Sequence, residues 1–158
     1  MSVTIRNAML SPSPAWGTRK DGSHVLNSQF LLIVRADRDG AIVEYTFAFL
    51  EGFRCDGLSV PWAFRWFLPS WDSKNSLYNV AGAVHDWLYA TKGYSILRRE
   101  ECDDIFRGLL RESGISRFKA GAADKAVEWF AGGSNPWGAD GYKVADKCSL
   151  VVRYLCWY

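Results

Sequence analysis

The sequence predicts an α+β protein: an N-terminal antiparallel β-sheet packed against a three-helix segment, with a C-terminal strand. Three observations carry this. Residues up to about 60 are rich in β-branched and aromatic residues with partial alternation. Residues from about 73 to 131 change to the helical period. The chain then closes on an apolar run, Leu150-Val151-Val152-Arg153-Tyr154-Leu155-Cys156-Trp157-Tyr158.

The elements follow in order. Asp21-Gly22 supplies a turn after a first short strand. Val25 to Ala36 reads as a strand, Asp37-Arg38-Asp39-Gly40 as a turn, and Ala41 to Phe53 as its hairpin partner. A first helix spans Asn75 to Tyr89, with Leu77, Val80, Ala81, Val84 and Leu88 on one stripe. Ser73 or Asn75 would cap it, because either side chain accepts a first-turn amide bond, and Gly93 closes it. A second helix runs from about Arg98 to Glu112 and stops at Gly114. A third runs from about Ser116 to Phe130, and Gly132-Gly133-Ser134-Asn135-Pro136 breaks it. The last strand, about 147–158, needs a sheet or a partner to cover it. With 158 residues and neither repeat nor linker, one domain is expected.

Composition narrows the function. Nineteen basic against 17 acidic side chains leave +2, so no broad basic field is offered to nucleic acid. Apolar runs such as Phe30-Leu31-Leu32-Ile33-Val34 are too short for a transmembrane segment. The start lacks a secretory pattern, so synthesis in the cytoplasm is expected. None of Cys55, Cys102, Cys148 and Cys156 forms a C-x-x-C pair, and buried reduced thiols are expected. Eight Trp imply a heavy aromatic core or a gripping surface. Trp62 and Trp66, four apart between Pro61 and Pro69, are the candidates for a lipid, glycan or docking surface; the alternative is a lid packed over the sheet.

The chemistry concentrates in three segments: Phe53 to Trp62, Ala83 to Tyr89 and Arg99 to Phe106. His85 and Tyr89 are four apart and share a helix face, and Asp86 points to the adjacent sector. A short return loop brings Asp103 within reach of His85. The reading is a carboxylate-oriented imidazole with Nδ1 held and Nε2 free. His85, Asp103 and Tyr89 are then the catalytic candidates. Asp86 and Asp56 are oxygen donors for a cation, calcium or zinc, or for holding the loop. The same network can also serve only to pin two helices together. His24, with no acidic residue near it in sequence, reads as ordinary surface.

Taken in order, F-x-x-D-G-x-S-x-P, A-x-x-H-D-W-L-Y and R-x-x-x-D-x-x-F resemble a family of unknown function, a domain of unknown function of tailed bacteriophages, prophages and some bacterial genomes. The match covers roughly residues 45 to 130. Where that family commonly has Ala before the second-helix Asp, this chain has Cys102. The resemblance implies a phage or prophage origin. The H-D-x-x-Y helix followed by D-x-x-F is also similar to the core of phospholipases of the A-two class. There, a His activates water, the adjacent Asp binds calcium and a second-helix Asp orients the His. Those roles would fall on His85, Asp86 and Asp103, with Tyr89 as the supporting tyrosine. The upstream loop departs from that class: Asp56-Gly57-Leu58-Ser59 has one glycine and no flanking cysteine pattern.

Three functions follow as expectations. The first is a virion-associated protein of the tail or baseplate, partnered by other phage structural proteins. The second is a His–Asp hydrolase, metal-assisted or not, acting on host-envelope lipid or peptidoglycan. The third is a prophage protein with no place in the particle.

Overall fold

The computed structural model describes residues 2–57, 68–116, 119–122, 125 and 145–157. The architecture is α+β, as expected. Strand β1 (Val3–Ser11), β4 (Phe30–Arg38), β5 (Ala41–Phe49) and β7 (Cys148–Trp157) form an antiparallel sheet in the order β1-β4-β5-β7. Three short strands, β2 (Trp16–Thr18), β3 (His24–Leu26) and β6 (Arg54–Cys55), make a second sheet in the order β2-β3-β6.

The sheet follows from alternation. In β5 every second residue, from Ala41 through Val43, Tyr45 and Phe47 to Phe49, is buried. Its hairpin with β4 closes on Asp39 and Gly40, both at positive φ, a left-handed pair that suits a two-residue turn. The turn is therefore shorter than the expected four residues, because Asp37 and Arg38 stay in the ladder. Val25 belongs to β3 rather than to β4, and Asp21-Gly22 turns the chain between β2 and β3. The first strand, expected to be short, has nine residues.

Helix α1 (Ser76–Ala90) begins at Asn75, whose side chain accepts the Tyr78 amide. Its cap is thus the second of the two expected. Helix α2 (Arg99–Glu112) opens on a capping box: the Glu101 side chain accepts the Arg98 amide at 2.8 Å. Helical backbone at 119–122 and 125 falls inside the expected third helix. The helices pack on the inner face of the large sheet, where Phe47 meets the fully buried Trp87 edge-on at 6.2 Å. Gly108 lets α2 press onto β1: a Cβ there would sit 2.7 Å from Ile5 Cδ1.

Two ties fasten α2 to the sheet. The Val3 amide donates to Asp104 at 2.9 Å, and Arg38 Nε pairs with the fully buried Glu101 carboxylate at 2.7 Å. Strand β7 lies along β5, from Phe49 opposite Cys148 to Ala41 opposite Trp157. All four cysteines are free thiols; Cys55, Cys102 and Cys148 are buried as expected. Cys156 is exposed: a register shift in β7 sets it opposite Ile42, on the outer side of β5.

Candidate functional site

Helices α1 and α2 run as an antiparallel hairpin, and its inner faces hold the site. His85 is 4% exposed. Its ring packs at 4.2 Å from the Tyr89 ring and 4.6 Å from Phe106. These two rings fix the imidazole plane. Nε2 then lies 3.5 Å from Asp103 Oδ1, and Nδ1 lies 3.9 Å from Asp86 Oδ1. The nitrogen facing Asp103 is therefore the opposite of the one expected. Nor is the contact a hydrogen bond: Nε2 is buried and finds no partner of proper geometry among the described residues. The Tyr89 hydroxyl has taken that carboxylate oxygen, donating to Asp103 Oδ1 at 2.5 Å. Arg99 Nε in turn donates to the Tyr89 hydroxyl at 3.3 Å.

The result is a wire of contacts, Arg99–Tyr89–Asp103–His85–Asp86, hydrogen-bonded as far as Asp103 and held at 3.5 and 3.9 Å beyond it. Burial, the largest single influence, pulls the His85 pKa down, but Asp103 and Asp86 together overcome it and hold it above the ordinary imidazole value. Burial pushes the Asp86 carboxyl up from the usual carboxylate range; His85 opposes the shift and the Asp56 charge adds to it. Tyr89 is pushed well up, first by burial and then by its bond to Asp103.

Asp56 follows β6 and reaches the same region. Burial, aided by the charges of Asp86 and Asp56, pushes the Cys55 thiol up to about 12. Gly57, next in the chain, lets the loop pass close to Ser70. It sits at positive φ, and a Cβ there would fall 2.4 Å from the Ser70 carbonyl oxygen. Among the described residues no three His, Cys, Asp or Glu side chains gather where they could hold a metal ion. A cation here would draw on the two carboxylates Asp86 and Asp56.

Three contributors were not singled out from sequence. Arg99 and Phe106 belong to the R-x-x-x-D-x-x-F block, and their spacing from Asp103 by four and three residues was the available signal. His24 is the other. It is half-buried, not ordinary surface: its ring stacks on Trp71 at 3.6 Å, and the Asp56 charge acts on it. Strand pairing of His24 with Cys55 brings it there, which no local pattern could reveal. Trp62, Trp66 and Ser59 lie outside the described residues.

An α+β sheet backed by a helical hairpin that buries a His–Asp–Tyr network is the class of protein these features define. The family model described as "Protein of unknown function (DUF1353)" matches residues 36–127, more than half of the chain, and the chain belongs to that family. The match spans β4 to the third helix and so contains every residue of the wire. No curated protein and no solved structure matches the chain.

Proposed function

We propose that the chain is a hydrolase of host-envelope lipid or peptidoglycan in which His85 is the general base. The observation that carries this reading is the braced carboxylate: Asp103, held by Tyr89, faces Nε2 of an imidazole whose Nδ1 looks toward Asp86. In this reading a water gives its proton to Nδ1, on the side of the partly exposed Asp86. Asp103 stabilises the imidazolium across Nε2, and Tyr89 with Arg99 keeps Asp103 from turning away.

The test is turnover of a short-chain phospholipid and of peptidoglycan by the wild type, His85→Asn and Asp103→Asn, with added calcium, with zinc and with chelator. Loss of a general base predicts a fall of about 10²–10⁴-fold for His85→Asn. Wild-type turnover should rise with pH through the raised value of His85, since only the neutral ring accepts a proton. Equal background rates for wild type and variants under all conditions overturn the reading.

A second reading, a structural role in a phage tail or baseplate, is favoured by the apolar outer surface of the sheet. Met9, Leu31, Val151, Tyr154 and Leu155 are all exposed there or at its edge strands. The pairing of β7 with β5 inside the monomer takes away the unpaired terminal strand that this role would otherwise use. Detection of the chain in purified particles by mass spectrometry would support it, and its confinement to the infected cell's soluble fraction would favour a prophage protein outside the particle.

A further inference from the structure

The connection between α1 and α2 is built in an uncommon way. Lys92, Gly93, Tyr94 and Ser95 all have φ between 52° and 67°. Three of the four carry side chains, for which this conformation is costly. Such strain persists where the surroundings enforce a geometry. Here the turn enforces itself. The Lys92, Tyr94, Ser95, Ile96 and Leu97 amides donate to carbonyls of Tyr89, Thr91, Lys92 and Gly93. With those amides spent, the side chains are what the turn offers outward.

They form a small amphipathic tip. Tyr94 is 40% exposed, and its ring leans on the buried Trp87 at 5.0 Å, so it stands on the core. Ile96 beside it is 42% exposed. Lys92 and Arg98 are exposed on either side. Arg99 is exposed as well, against one exposed acid, Glu100, while Glu101 is buried against Arg38, so the segment keeps a net positive charge. A tyrosine and an isoleucine between two cations match the boundary of an anionic bilayer. There an aromatic ring settles at headgroup depth and each cation meets surface charge.

We propose that the 92–98 tip docks the protein on an anionic lipid surface. The inference takes its substrate class from the hydrolase reading and narrows it to membrane phospholipid. The site lies directly behind the tip. Lys92 bonds the Tyr89 carbonyl, and Arg99, next to Arg98, bonds the Tyr89 hydroxyl.

The test is co-sedimentation of the full chain with vesicles of ether-linked lipids, which bind but resist ester hydrolysis. One set contains phosphatidylglycerol and phosphatidylcholine in equal parts, the other phosphatidylcholine alone. The wild type should sediment with the first and not the second, and salt should weaken it. Lys92→Asn keeps a residue that tolerates positive φ and should weaken binding about fivefold, the weight of one basic residue near an anionic surface. Ile96→Ser should weaken it about tenfold. Both positions are exposed, so both variants should melt as the wild type does. Three results each overturn the proposal: no sedimentation of the wild type, equal sedimentation with both vesicle sets, or variants that bind like the wild type. Binding without any phospholipid cleavage would leave the docking intact and remove phospholipid as the substrate. Cleavage of a soluble ester without vesicle binding would do the reverse.

Discussion

At the scale of single residues, His85 is governed by opposing influences. Burial favours its neutral ring, and two carboxylates favour the charged one and prevail. Its folded pKa is therefore above the unfolded value. The stabilisation is fully present below the ordinary imidazole range and is lost as pH rises through the raised value. Asp86, also raised, has the same sign: its folded form holds a proton more tightly, and stability falls as it ionises. His24 has the opposite sign, because burial lowers its pKa. The melting temperature of wild type minus that of His85→Gln isolates the first term. That difference should be largest in mildly acidic buffer and shrink toward alkaline pH. A difference that grows with pH would show that the carboxylates do not charge the ring.

At the scale of elements, the left-handed turn stands apart. Ser95 is exposed at φ 59, where glycine would be at ease. Ser95→Gly should stabilise the fold by about 0.5–1 kcal/mol, the left-handed penalty less the added freedom of the unfolded chain. A urea midpoint that rises with unchanged slope is the check, and a fall would mean the serine side chain is itself bonded in the turn. Much of the site was legible at this scale and some was not. The spacing of His85 and Tyr89, with a hairpin return, was enough to bring Asp103 to them. Which ring nitrogen it would face was not legible, because Phe106 and Tyr89 set the ring plane through packing between helices. Strand β1 was underestimated for a related reason. Thr4, Arg6, Asn7 and Ser11 dilute its alternation, since it is an edge strand with an exposed outer side and a register shift at Arg6. Core strands β4 and β5 carry their burial in every second residue and were plain.

At the scale of the whole molecule, β7 completes the sheet. Cys148 and Leu150 belong to the buried core. Leu150→Ala should cost about 2–4 kcal/mol, within the usual range for a buried aliphatic truncation. Removing residues 148–158 should cost far more, since it strips β5 of its neighbour and opens Phe47 and Phe49 to water. That truncation is expected to leave an aggregating chain by size-exclusion chromatography. A soluble truncated protein with native-like melting would show that the remaining three strands and the helices form a self-sufficient core.

The order of the strands also sets when this chain can finish folding. β5 emerges early in synthesis, yet its neighbour on one side is made about a hundred residues later. Until that segment leaves the ribosome, β1, β4 and the helices can assemble, but one edge of β5 has no ladder partner. Long-range pairings of this kind pay loop closure before any reward and slow the final step. On the translating ribosome the protein should therefore pass through a long-lived, chaperone-accessible state, and the closing strand acts as the timer of its maturation.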